Sequence, residues 1–198
     1  ELDRGFREAF TTAPPLAFPG VRPAELDAAE RGWWEAVVRR AFGASAHHPA
    51  FSACCAELYA HYARKDAWHV FPDVAPALRA LRARGLRLAV LSNFDRRLVT
   101  LLAELGLAPL LDHVVHSTAA GAAKPELAAF HTALAILHAS AEETLHVGDG
   151  LAEDVEGARA AGFHAVLLDR SGMREPIAWH VPTIASLTQL PTLVAALA

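Results

Sequence analysis

The sequence predicts an α/β protein with a parallel sheet, preceded by a wholly helical segment. Three observations carry this. From residue 69 onward, short apolar runs alternate with helical segments of about ten residues, which is the pattern of β-α-β units. Before residue 68, apolar side chains recur at three- and four-residue spacing and no strand-like run occurs. Finally, His146–Phe163, HVGDGLAEDVEGARAAGF, reads as strand end, glycine-containing turn and alanine-rich helix. The chain therefore divides into residues 1–68, helical, and residues 69–198, α/β, joined near His69–Pro72.

The bulk composition fits that class. Of 198 residues, 53% are hydrophobic and 20% charged, which suffices for a packed core with a solvated surface. A net charge of -4 argues against nucleic acid as the main partner. No apolar run approaches the ~20 residues that cross a bilayer, and the opening ELDRGFREAF is amphipathic and charged rather than leader-like. The two cysteines, Cys54 and Cys55, are neighbours, so they build no disulfide framework and lack zinc-site spacing. A reducing, cytoplasmic setting is expected.

In the helical segment, Glu1–Phe10 is an amphipathic piece ended by Thr11-Thr12-Ala13-Pro14-Pro15. Pro23 suits a first helical turn, and the spacing predicts a helix over Ala24–Phe42 that Gly43 terminates. Leu26, Ala29, Trp33, Val37 and Ala41 form its core-facing stripe, widened by Trp34, Val38 and Phe42. The Trp33-Trp34 pair reads as helix packing before it reads as a ligand pocket. Arg39 and Arg40 read as a solvated face. A third helix spans Ala50–Ala63, and His47 and His48 precede it at an exposed helix start.

The second segment opens with Phe71-Pro72-Asp73 and a helix over Val74–Arg84, closed by Gly85. Leu86–Leu91 is an apolar strand ending in Ser92-Asn93. Arg96–Leu105 is helical, His113–His116 a strand, Gly121–Pro125 a loop and Glu126–His138 a helix. Thr144–Gly148 is a strand, Val155–Ala161 a helix and His164–Leu168 a strand. Thr183-Ile184 is a small edge strand, and Ser186–Leu197 a last helix.

The chemistry concentrates at Asp149 and Asp154. Asp149 follows the strand directly, and Asp154 sits in the turn or the first helical turn. Because the chain reverses between them, both carboxylates can enter the crevice beyond the strand ends, where open parallel sheets bind ligands. Converging carboxylates repel unless a proton or cation intervenes, and a hard divalent ion such as Mg2+ suits oxygen donors. A helix cap at Asp154 and a solvated Asp149 are the plain alternative.

Four features stand in a fixed order: Ser92-Asn93 after one strand, Lys124-Pro125 before a helix, then Asp149 and Asp154 in GDGLAED. This arrangement resembles the haloacid dehalogenase (HAD) superfamily, chiefly its phosphatase branch, over residues 69–170. The LSNFDRRL stretch and the tryptophan-bearing helices are most similar to the haloacid dehalogenase-like hydrolase domain-containing proteins. The resemblance implies a Rossmann-like core, with residues 1–68 as its helical cap. It implies an aspartyl-phosphate mechanism acting on a small phosphorylated metabolite. Ser92 and the Asn93 backbone would donate to the phosphoryl group, Lys124 would offset its charge, and Asp149 and Asp154 would hold Mg2+. True dehalogenases of the family need no metal and lack G-D-x4-D, so Asp154 favours the phosphatase.

One part of the family pattern is missing. Its first motif, D-x-D-x-T or D-x-x-x-T after an apolar strand, does not occur here. Before Trp68 the aspartates are Asp3, Asp27 and Asp66, and none follows a strand-like run; Asp73 belongs to the FPDV turn. In the family that strand lies between the strands bearing Ser92 and Asp149. Its loss would leave two unpaired apolar edges inside the sheet. The expectation is a chain without its nucleophilic segment and first cap helix, inactive by itself. The alternative is a non-catalytic protein of the same fold that binds a ligand or partner. A two-component receiver is disfavoured because its acidic residues precede the lysine, and a dinucleotide-binding enzyme because no G-x-G-x-x-G follows an early strand.

Overall fold

The computed structural model describes residues 2–172 and 181–197. Three helices build the first region: α1 (Leu2–Thr11), α2 (Leu26–Phe42) and α3 (Phe51–His61). Glu1, expected in the first helix, lies outside the described residues. A short 3-10 turn, Pro23–Glu25, leads into α2, so proline occupies a helical start as its fixed φ allows. Gly43 ends α2 at φ 53°, a conformation a side chain would resist. Val37 and Val38 of the expected stripe are buried, while Trp33 and Trp34 are half-buried and meet edge to face at 4.9 Å.

The second region alternates helix and strand: α4 (Val74–Arg82), β1 (Ala89–Ser92), α5 (Arg97–Glu104), β2 (His113–His116), α6 (Ser117–Ala120), α7 (Leu127–Leu137), β3 (Leu145–Gly148), a π turn (Leu151–Glu156) running into α8 (Gly157–Ala160), β4 (His164–Leu168), β5 (Thr183–Ile184) and α9 (Leu190–Leu197). Among the described residues, every strand pair is parallel. The expected elements are present, with four differences. The first strand begins at Ala89 rather than Leu86, because Leu88 is tied to Asp112 outside the ladder, its N–H donating to Oδ2 at 2.7 Å. The turn α6 was not expected; His116 Nδ1 accepts from Ala119 N at its start. The helix after Asp154 begins at Leu151 as a wide turn, four residues before the expected Val155. The last helix begins as a 3-10 turn fixed by a reciprocal cap between Ser186 and Gln189.

The strands form two sheets. β1 pairs with β2, Ala89 opposite His113 through Ser92 opposite His116. β4 lies between β3 and β5, with Leu145 opposite His164 and Leu167 opposite Thr183. Among the described residues, no ladder joins β1 to β3. Both strands are half-buried at all four positions, whereas Ala165, Val166 and Leu167 of β4 are buried. β1 and β3 therefore lack the burial on both faces that an interior parallel strand has.

Side-chain alternation distributes the core over two faces. On one, Leu91, Ala165 and Leu167 pack with Phe130, Val155, Ala158 and Phe163. On the other, Leu145, Val147 and Val166 pack with Leu81, Ile184 and Leu190. Leu91 and Val147 thus hold β1 and β3 to the helical layers without backbone pairing between the strands.

Candidate functional site

Ser92 and Gly148 are the last residues of β1 and β3, so the groups expected to act lie beyond the carboxyl ends of these strands. Asn93 leaves β1 and clamps the backbone of Lys124. Its Oδ1 accepts from Lys124 N at 2.8 Å, and its Nδ2 donates to Lys124 O at 2.9 Å. This pair of bonds fixes where the lysine side chain starts. Lys124 Nζ then donates to Asp154 Oδ1 at 2.5 Å, with both side chains nearly buried. Ser92 is half-buried, and its hydroxyl has no hydrogen bond among the described residues.

Asp154 is buried, and its carboxylate lies over the backbone of the G-D-G turn. Gly150 N donates to Oδ2 at 2.8 Å. A Cβ on Gly148 would stand 2.1 Å from the Asp154 carboxyl carbon, so only glycine leaves room there. A Cβ on Gly150 would stand 3.0 Å from Oδ2. Glycines on both sides of Asp149 thus admit the Asp154 carboxylate against the backbone of the turn. Asp149 itself is exposed and has no ion pair or hydrogen bond among the described residues.

His146 is a member of this cluster that the sequence reading missed. Its ring Nε2 lies 2.9 Å from Asp154 Oδ1, and its ring meets Phe130 edge to face at 5.4 Å. The available signal was the period of two: His146 shares a strand face with Gly148, the glycine against which Asp154 packs. Burial raises the Asp154 pKa, but the His146 hydrogen bond and the Lys124 ammonium outweigh it, and the carboxyl sits well below its ordinary value.

The expected residues thus come together in part. Asn93, Lys124 and Asp154 are joined by direct bonds, Ser92 adjoins Asn93, and Asp149 lies between the glycines that seat Asp154. Asp149 and Asp154 are oxygen donors of the type a divalent cation such as Mg2+ takes, although Asp154 Oδ1 already meets Lys124 and His146 and its Oδ2 accepts from Gly150 N. Among the described residues there is no group of three or more His, Cys, Asp or Glu side chains that could hold a metal. Asp73 is committed elsewhere: its Oδ2 accepts from Arg170 Nη1, Ser186 Oγ and Leu187 N at 2.8–2.9 Å. The expectation that it is no substitute nucleophile agrees with that packing.

A cavity of about 660 Å³ opens between the helical region and the segment after β1, lined by Phe6, Phe10, Trp34, Tyr59, Trp68 and Phe94 among others. It touches none of Ser92, Asn93, Lys124, Asp149 or Asp154, so it is separate from this cluster. Trp33 and Trp34 pack against Phe10 of α1, as expected, and Trp34 also lines this cavity. Arg39 pairs with Glu35 and covers the Phe51 ring, as a helix-face residue does. Cys54 and Cys55 are free thiols. Among the described residues, no helix is long and apolar enough to cross a membrane.

A haloacid dehalogenase-like hydrolase family model matches residues 4–162, which include all of these groups. The chain belongs to this family. It is 36% identical over 178 residues to human haloacid dehalogenase-like hydrolase domain-containing protein 3, covering 89% of this chain and 70% of that protein. It is 43% identical over 105 residues to a phosphatase of Mycobacterium tuberculosis, covering 52% of this chain and 48% of the relative. Among solved structures, L-2-haloacid dehalogenase from Xanthobacter autotrophicus superposes with a TM-score of 0.75 at 21% identity, over 100% of this chain and 86% of that one. This last likeness concerns the fold. Within that fold, the Asn93–Lys124–Asp154 cluster of this hydrolase stands at the carboxyl ends of the strands.

Proposed function

We propose that the protein is a Mg2+-dependent phosphomonoesterase acting on a small phosphorylated metabolite, and that the attacking aspartate is carried on a strand between β1 and β3. The carrying observation is Lys124 Nζ at 2.5 Å from Asp154, with Asp149 exposed beside the same glycine turn. A lysine held by its backbone on Asn93 supplies a fixed positive charge for phosphoryl oxygens. Ser92, with a hydroxyl free of intramolecular bonds among the described residues, and the Asn93 N–H would donate to the same group. Asp149 and Asp154 would hold the cation, which supplies Lewis-acid stabilisation of the phosphoryl charge. Lys124 and His146 keep Asp154 anionic before the ion arrives.

In this reading an aspartate oxygen forms a bond to phosphorus while the bond to the leaving oxygen breaks, and that oxygen takes up a proton. Water then attacks phosphorus, the carboxylate departs, and inorganic phosphate is released. In this reading Asp149, directly after β3, serves the cation, and Asp95, after β1, is bonded to Arg97 and Trp34, so the attacking aspartate is a further residue. The helical region would act as the cap that selects the leaving group.

The test has two arms. The 198-residue chain should release no p-nitrophenol from p-nitrophenyl phosphate, with or without Mg2+. The protein carrying an apolar strand that ends in aspartate ahead of residue 1 should hydrolyse phosphomonoesters in Mg2+ and lose that activity in EDTA. Turnover by the 198-residue chain would overturn the assignment of the nucleophile. Release of halide from 2-haloacids that survives EDTA, without phosphate release, would overturn the phosphatase.

A further inference from the structure

The segment that positions Lys124 also carries the polar contacts to the helical region. Asn93 is followed by Phe94, Asp95, Arg96 and Arg97. Asp95 and Glu30 are both fully buried carboxylates, one in each region. Asp95 Oδ1 accepts from Arg97 N and Nε at 3.0 and 2.9 Å; Oδ2 accepts from Arg97 Nη2 at 2.6 Å. The same Oδ2 accepts from the indole Nε1 of Trp34, on α2, at 2.7 Å. Arg97 Nη1 in turn donates to Tyr59 O on α3 at 2.9 Å, and its guanidinium lies 3.7 Å from the Tyr59 ring centre.

Glu30 stands one helical turn before Trp34, on the same face of α2. Its Oε1 accepts from Thr118 Oγ1 at 2.5 Å and from Arg96 N at 3.3 Å. Its Oε2 meets Arg96 Nε at 2.7 Å as an ion pair. Ser117 Oγ adds a bond to Leu16 O of the first region, and another to Phe94 O. One turn of α2 thus seats on residues 94–97 through two carboxylates that face in opposite directions across the junction.

We propose that Glu30, Trp34 and Asp95 form a latch that couples the seating of the helical region to the position of Lys124. The link is short: α2 holds Asp95, Asp95 holds the loop, and Asn93 at the start of that loop holds both backbone groups of Lys124. Burying a carboxylate is costly unless it is partnered. Asp95 Oδ2 and Glu30 Oε1 take bonds from across the junction, while Glu30 Oε2 has the Arg96 ion pair without a hydrogen bond, so the arrangement of the loop depends on α2. Glu30, Trp34 and Asp95 are then positioning residues for the lysine. The functional consequence rests on the phosphatase reading; the coupling itself does not.

The experiment compares the wild-type chain with Trp34→Phe and Glu30→Gln by residue-resolved amide hydrogen exchange. Removing one buried hydrogen bond or charge contact should loosen the loop, and exchange at the Lys124 amide should rise roughly five- to tenfold. The amide of Val166 in β4 serves as reference and should not change. Neither substituted side chain touches Lys124, so global loosening alone would raise both amides together. Equal rises at Lys124 and Val166, or no rise at Lys124, would overturn the latch. Binding of inorganic phosphate to the same proteins, with Lys124→Ala beside them, separates the two readings. If phosphate affinity is unaffected by Lys124→Ala, the site assignment fails while the exchange data still decide the latch.

Discussion

β3 and β4 run side by side in register, yet their surroundings differ. β4 is paired on both sides and buried at Ala165, Val166 and Leu167. β3 is paired on one side and half-buried throughout, and β1 is its counterpart across the break in the sheet. β1 (AVLS) is nearly as apolar as β4 (HAVLL) yet is half-buried throughout, so position in the sheet, and not composition alone, sets the contrast. A parallel strand in the interior of an α/β sheet is buried by neighbours and helices together, and β1 and β3 have the helices without one neighbour. The residues proposed for chemistry, Ser92, Asn93, Asp149 and Asp154, follow these two incompletely paired strands. The stable part of this region and its reactive part are therefore adjacent but unequal.

The largest test of that inequality is backbone exchange. Amides of β1 and β3 that face the break should exchange at least about 10³-fold faster than those of Val166 and Leu167, since opening them breaks no ladder. Equal protection would mean that a neighbour pairs with the edges in solution, and a second copy of the chain would be the first suspect. Supplying a parallel strand should slow exchange at β1 and β3 and leave β4 unchanged.

Side-chain truncation should show the same ranking with a smaller effect. Leu167→Ala, in β4, should lower the unfolding free energy by about 3 kcal/mol. Leu91→Ala, in β1 and packed against the same apolar cluster, should cost about 1 kcal/mol, because a half-buried side chain gives up less area. Chemical denaturation of both variants checks this, and equal losses would contradict the contrast.

The smallest effect concerns acid. Asp73 joins the segment after β4 to α4 and the last helix, and its pKa is held down to about 2, first by the Arg170 guanidinium and then by Leu187 N and Ser186 Oγ. The folded value lies below the unfolded one of about 3.9, so this stabilisation is complete above pH ~4 and is lost as pH falls from there toward 2. Asp73→Asn should remove about 2 kcal/mol at neutral pH and flatten the acid limb over that window, measured as midpoint against pH. An unchanged acid limb would show that Asp73 is not paired as an anion in solution.

Much of this was legible in the sequence because it depends on local rules. The strands His113–His116 and His164–Leu168 follow from apolar runs with clear turn signals, and the helix ends at Gly43, Gly85 and Gly106 from residues that accept positive φ. The order of Ser92, Lys124, Asp149 and Asp154 was equally visible. What the chain alone could not show was partnership across long separations. Nothing near Glu30 or Asp95 in sequence marks them as buried, since a carboxylate on a helix is ordinarily solvated. Burial became tolerable for Asp95 with its neighbour Arg97 and the distant Trp34, and for Glu30 with the distant Arg96 and Thr118. The same holds for His146 and for the seat of Asp154 on Gly148. Periodicity and turn chemistry determine the elements; the pairing of buried charge is decided only by the packing that excludes water from it.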